Sequence, residues 1–247
     1  MTVAILVRRA QARPGQPDDD VVLGPCERGA LTIGLALAHE LATDAVAIAV
    51  GPARREDKVL AMALRAGCAR AVRVSGEGVD DLDYLGVAEI VAAAVKKVGA
   101  DVVVCGDRSV DERLGALAPA AAELLAMPHV TAVRGARLEG AALDVDHHAS
   151  GRIVTLRLAR PVVLAVCAPP SRGGDAPSAP APPAAAQAIV AWELEDLGLD
   201  ARRLAPRKAL AGRLRPLRGS RQATIFGDAA ELVERLRRER VLPESES

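Results

Sequence analysis

Four short apolar runs, each followed by a segment of helical spacing, leave this chain few folds to adopt. The runs are residues 3–7 (VAILV), 45–50 (AVAIAV), 71–74 (AVRV) and 101–105 (DVVVC). They are nearly continuous rather than alternating, which suits parallel strands covered by helices on both faces. Helices are expected over 26–41, with Ala30, Ile33, Leu37 and Leu41 on one side, over 54–65 ending at Gly67, over 85–98 ending at Gly99, and over 114–126 ending before Pro128. Gly34, inside the first helix, allows close approach to the sheet. Strand and helix alternating at this spacing give a doubly wound, mostly parallel sheet with right-handed crossovers.

Beyond residue 131 the period changes. Residues 136–145, 153–158 and 162–167 are β-type runs separated by HHASG and ARP, expected as turns between antiparallel strands that extend the sheet as a hairpin. Residues 169–190 are Pro, Ala, Ser and Gly with almost no large apolar side chain, and read as a linker or recognition-loop region. The chain thus divides into an α/β domain with its hairpin extension (1–168), the linker (169–190) and a C-terminal arm (191–247) that wraps the domain or a partner subunit. Within the arm, 228–240 (DAAELVERLRRER) is a helix with Leu232, Val233 and Leu236 on one side. Half of the 247 residues are apolar, enough for one substantial core.

Composition excludes several functions. Acidic and basic residues balance, and no basic run is interleaved with aromatics, so nucleic-acid binding is not expected. The apolar runs are too short to cross a bilayer, so neither membrane insertion nor a targeting segment is expected, and the protein reads as cytoplasmic. Cys26, Cys68, Cys105 and Cys167 are widely spaced, with no CxxC pair to imply zinc or disulfides. Trp192, Tyr84 and Phe226 are the only aromatics, so a flavin would need help from elsewhere. The glycine-rich dinucleotide fingerprint, the P-loop, HExxH and GxSxG are all absent. His147 and His148 beside Asp144 and Asp146 read as a surface turn, while His39 and His129 are lone histidines without a nucleophile.

The fourth strand enters a polar loop over 106–113 before the next helix, the place where an open α/β sheet puts its ligands. Ser109, Asp111, Glu112 and Arg113 sit there. Arg113 can pair with phosphate, and Asp111 can cap the helix or accept from a sugar hydroxyl. The alternative is an N-terminal cap and a surface charge, with no ligand. Residues 8–20, after the first strand, read as a loop whose Arg8 and Arg9 either meet a phosphate or face water.

These segments resemble the electron-transfer flavoprotein beta subunit family from the first strand to the last helix. The matching pieces are VAILVRR, PCERGALTIGLALAHEL, VGPARREDKVLAMALRAGCARAVRV, GADVVVCGDRSVDE, AAELLAMPHVT, VTLRLARPVVLAV, DLGLD and AELVERLRRERVL. Gly106 to Asp111 follow the family's pattern of a glycine, two polar residues, a small residue, an aliphatic and an aspartate, and Met127-Pro128 fills the place of a tryptophan-proline pair. The resemblance implies a Rossmann-like fold of adenine-nucleotide-binding type, a heterodimer with an alpha subunit, and an FAD held between the two. It also implies AMP in the beta subunit, a flavin dehydrogenase as electron donor, and a role as carrier rather than catalyst. By motif position Leu6, Cys26, Val50, Gly51, Gly106, Ser109, Asp111, Glu112 and Arg113 would surround the nucleotide.

This chain departs from the family pattern in two places that bear on binding. Where members carry a Gln-Thr-Gly or Gln-Val-Gly group facing phosphate, it has Leu114, Gly115, Ala116, Leu117 and Ala118. Where members carry a Leu-Pro anchor, a methionine and lysines, residues 170–189 carry none of these. Two functions are therefore carried forward: a divergent electron-transfer subunit, and a non-redox nucleotide-binding or scaffold subunit on the same fold.

Overall fold

The computed structural model describes residues 2–11, 21–109, 113–167, 189–204 and 224–242. Two compact units divide the chain, residues 1–209 and 210–247. In the first, strands β1 (Val3–Leu6), β2 (Arg9–Gln11) and β3 (Val21–Leu23) precede helix α1 (Pro25–Glu40), and β4 (Ala45–Val50), α2 (Ala53–Ala66), β5 (Arg70–Ser75) and α3 (Tyr84–Val98) follow. Then come β6 (Val102–Gly106), α4 (Leu117–Leu125), β7 (His129–Glu139), β8 (Ala142–Ala149), β9 (Arg152–Leu158), β10 (Val162–Val166), β11 (Val190–Glu193) and the short α5 (Ala201–Leu204).

Nine strands form one sheet in the order β11-β5-β4-β1-β6-β10-β7-β8-β9. The first seven of these run parallel, and β7, β8 and β9 form an antiparallel meander at the far end. The chain winds outward from β1 through β4 to β5, then returns to place β6 on the other side of β1. That reversal opens a crevice at the carboxyl ends of β1 and β6.

Residues in a strand point alternately to the two faces, and both faces of this sheet are covered. Val3, Ile5, Val102 and Val104 pack in one core with Leu37 of α1 and Val59 and Leu60 of α2. Ala4, Leu6, Val103 and Cys105 pack in the other with Ile90 and Val91 of α3 and Ala121 and Ala122 of α4. Each of the Val, Leu and Ile side chains among them contributes about 1.5–3 kcal/mol on removal from water, before the entropy of ordering is counted. Gly34 brings α1 onto the sheet: a Cβ there would lie 2.6 Å from Ile5 Cδ1. Asp83 caps α3 by accepting from the amides of Leu85 and Gly86, both at 3.0 Å, and Gly99 ends the helix at φ +68°.

Four expectations need correction. Residues 8–20 are not all loop, because β2 pairs antiparallel with β3; residues 12–20 lie outside the described set. Residues 136–145 are not one strand, because Gly140, at φ +63°, turns the chain between β7 and β8. His147 and His148 lie within β8, opposite Val154 and Ile153, and the turn falls instead at Ser150 and Gly151, both at positive φ. Strand β10 is not part of the antiparallel extension: it inserts between β6 and β7, parallel to both, and all five of its residues are buried. A wholly apolar run belongs at the centre of a parallel sheet, where both of its faces are covered.

The segment expected to open the C-terminal arm begins inside the first unit. Strand β11 pairs with β5, and Leu194 and Leu204 are buried in the second core. The expected linker lies outside the described residues except for Ile189 and Val190, as does all of 205–223. In the second unit, α6 (Ala229–Arg238) is capped by Asp228, which accepts from the Glu231 amide at 2.9 Å, and it carries Arg235–Glu239 and Glu234–Arg238 pairs one turn apart.

Candidate functional site

At the carboxyl ends of β1, β4 and β6 lies an open cleft of about 210 Å³. Leu6 and Val7 come from the end of β1, Ile48 and Val50 from β4, and Cys105 and Gly106 from β6. Val79, Leu82, Val87 and Val91 make an aliphatic wall, and the residues from Leu114 to Ala118 close the side at the start of α4. Tyr84 is the one aromatic among the lining residues.

The polar part of the lining is mainly acidic. Glu27 and Glu56, each in the first turn of a helix, are 6% and 3% exposed, and Asp80 and Asp107 join them; Arg8 and Arg9 are the basic lining residues. Carboxylates are favoured near helix N-termini, which accounts for their position in the sequence. Glu56 is placed by the turn before α2. Gly51, at φ +143°, leaves room that a Cβ would take, because that atom would come within 3.0 Å of Glu56 Cγ. Glu56 Oε1 sits 3.5 Å from Arg9 Nε, while its Oε2 is buried with no hydrogen-bond partner. Burial pushes the Glu56 carboxyl up to about 7, against the opposing pull of Arg9, Arg8 and Arg55, with Asp80 adding to the rise. The Cys105 thiol is pushed up to about 12 by burial and further by Asp107 and Glu27, so it is an inert thiol in a negative field.

Of the residues expected at a nucleotide, the cleft brings together Leu6, Val50, Gly106 and Ser109. Cys26 and Gly51 stand behind its wall: a Cβ on Gly106 would meet Cys26 Cβ and Glu27 Oε1 at 3.1 Å. Arg113 is exposed and is not among the lining residues; it adopts φ +52°, and its amide donates to Ser109 Oγ at 3.2 Å. Asp111 and Glu112 lie outside the described residues. The helix expected from residue 114 starts at Leu117, because Gly115 takes φ +65° and breaks the turn. Its N-cap is Ala116, with no side-chain hydrogen bond, so the capping role foreseen for Asp111 is not filled at that position. Glu27 and Glu56 are the functional candidates that motif reading missed. The signal for both was an acidic residue in the first turn of a helix that follows a buried strand.

A second depression, of about 440 Å³, lies beside β11 and is lined by Glu77, Glu193, Glu195, Asp200 and Arg202 among others. Two of these acids serve the local backbone. Glu193 shares a capping box with Asp196, and Asp200 accepts from the Arg202 amide at 2.9 Å.

Compared with known proteins, residues 18–197 match the model of the electron transfer flavoprotein domain. This chain belongs to the electron transfer flavoprotein beta family. It is 25% identical over 220 residues to the electron transfer flavoprotein subunit beta of Bacillus subtilis, covering 87% of this chain and 84% of that protein. The subunit beta of Thermoanaerobacterium thermosaccharolyticum is 26% identical over 158 residues, covering 64% of this chain and 59% of the relative. The human subunit beta is 29% identical over 126 residues, covering 51% and 49%. At this identity the member is a divergent one. The domain match takes in α1, the Glu56 turn and the loop after β6, while Leu6, Arg8 and Arg9 precede it. Among the described residues no helix is long and apolar enough to cross a membrane.

Proposed function

We propose that this chain is the beta-like subunit of a two-chain, cytoplasmic electron carrier. It pairs with an alpha-type subunit, and electrons from a flavin dehydrogenase pass through an FAD held between the two chains to a redox acceptor. The family match over residues 18–197 carries this reading. FAD supplies the redox chemistry, and the chain's own residues bind and orient it. The cleft supports a shared flavin rather than one enclosed by this chain. Its volume of about 210 Å³ is below the ~300–1,000 Å³ of sites that bury a drug-sized ligand, and Tyr84 is its one aromatic.

AMP, the second nucleotide implied by the resemblance, would meet main-chain amides but no side-chain cap at the start of α4. That bare helix start favours, as the second reading, a non-redox nucleotide-binding or scaffold subunit. Co-expression with a flavoprotein alpha subunit, followed by reduction with candidate flavin dehydrogenases, separates the two. Bleaching of a bound flavin by a donor supports the carrier; a stable complex that carries no flavin supports the scaffold.

A further inference from the structure

Strands β2 and β3 stand apart from the nine-stranded sheet as a two-stranded ribbon of three residues each. A pair of strands this short is at best marginally stable in water, so its contacts with the body keep it in place. Leu23 is 8% exposed and packs into the first core, and Arg28 of α1 donates to the Leu23 carbonyl at 2.6 Å. Arg9 ties the ribbon to α2 through Glu56. That tie is the weak one. Arg9 Nε lies 3.5 Å from Glu56 Oε1, longer than the about 2.7–2.9 Å of a well-formed charge-assisted bond, and Glu56 Oε2 is buried with no hydrogen-bond partner. The turn before α2 crowds the same carboxyl, because a Cβ on Gly51 would come within 3.0 Å of Glu56 Cγ and 3.1 Å of Oε1. An ionised carboxylate held here lacks the hydrogen bonds that would offset its loss of water, whereas the protonated acid is far less costly to bury.

We propose that the β2–β3 ribbon is a pH-sensitive part of the cleft wall: it stays on α2 while Glu56 keeps its proton, and ionisation of Glu56 drives it off so that water reaches the carboxylate. Linkage sets the direction. Burial holds the Glu56 carboxyl up at about 7, and detachment returns it towards its ordinary 4.5, so the detached state gives up the proton first. Detachment therefore becomes easier as pH rises from about 4.5 to about 7 and is level above that. The charged groups acting on Glu56 are Arg9 of β2, Arg8 just before it, Arg55 on α2 itself and Asp80 after β5, and Glu27 of α1 and Asp107 after β6 line the same cleft. The three arginines keep their charge throughout this range. Because Arg9 lines the cleft, its departure with the ribbon opens that side as the solution becomes alkaline.

Hydrogen exchange of the full chain, read by mass spectrometry over β2 and β3 and divided by the unstructured-peptide rate at each pH, tests this. Ribbon protection is expected to fall up to about tenfold from pH 6 to pH 8 and to change by less than about twofold from pH 8 to pH 9, as a group raised from 4.5 to about 7 requires. Low concentrations of urea should leave ribbon exchange unchanged while speeding that of β1 and β6, which marks the opening as local. Glu56→Gln should remove the pH dependence. Arg9→Gln, which withdraws the cation that pulls Glu56 down, should move the levelling-off to higher pH. Ribbon protection flat from pH 6 to pH 8, an unaltered fall in Glu56→Gln, or ribbon exchange as urea-dependent as that of β1 and β6 would each overturn the proposal. Should Glu56→Gln fail to fold, Arg9→Gln gives the second readout, and a levelling-off that stays in place there also overturns it. No flavin or partner takes part, so failure here leaves the electron-carrier reading untouched.

Discussion

Glu56 and Arg9 face each other at 3.5 Å across the mouth of the cleft, yet the pairing leaves the Glu56 carboxyl held up near 7 rather than down in the usual carboxylate range. Burial outweighs the neighbouring guanidiniums, because a carboxylate removed from water loses more than one long ion pair returns.

The sign of the resulting pH effect follows from linkage. An acid whose folded value is raised from 4.5 to about 7 keeps its proton in the folded state after the unfolded chain has released it. Stability therefore falls as pH rises from about 4.5 to about 7 and is level above that, with an amplitude on the order of 3 kcal/mol. Glu56→Gln should flatten this slope and raise the urea midpoint at pH 8. An unchanged slope in the variant would remove Glu56 as its cause.

At the other end of the sheet the sign is reversed. Arg157 donates to both oxygens of Asp144, at 2.7 and 3.0 Å, and holds its carboxyl below the usual range. Its contribution is present above the unfolded value and is lost as pH falls through the folded one. Arg157→Ala should lower the melting temperature at pH 7 by more than at pH 3, measured by circular dichroism; equal losses at both would mean the pair is not responsible.

Gly34→Ala should destabilise the chain by about 1–3 kcal/mol, although alanine is the better helix former. The added methyl group would sit 2.6 Å from Ile5 Cδ1 and 2.7 Å from Ile5 Cγ1, and Ile5 is fully buried, so the pair must shift within a packed core. Chemical denaturation reads this directly, and a neutral or stabilising outcome would show that α1 can lift from β1.

Leu194 tests whether the segment after the undescribed stretch belongs to the body. It is 3% exposed and packs with α3-side residues of the second core. Leu194→Ala should cost about 2–5 kcal/mol. A loss under ~0.5 kcal/mol in urea unfolding would make β11 and its following turn peripheral.

The parallel half of the fold was legible because strands β1, β4 and β6 are almost wholly apolar and its helices are punctuated by residues such as Gly67 and Gly99, which take positive φ at the helix ends. The misplaced strand was β10, because an apolar run of five residues carries no sign of its direction, and its position between β6 and β7 depends on pairing with residues 33 to 60 positions away. Helix α4 begins three residues later than its spacing suggests, because Leu114 has the right spacing but is 58% exposed and Gly115 at φ +65° breaks the turn. At the site, backbone positions such as Leu6, Val50 and Gly106 could be read from where their strands end. The paired chemistry of Glu56 and Arg9 could not, because the polar sequence around Arg9 gives no sign of strand β2 and the two residues are brought together only by the fold.

The visible spectrum of the complex purified after co-expression with an alpha-type partner tests the central claim most directly. A one-to-one complex with a bound flavin absorbing near 450 nm, absent when either chain is expressed alone, is the expected result (~450 nm being the ordinary flavin band). A colourless chain that remains monomeric in the presence of the partner and saturating FAD would contradict it.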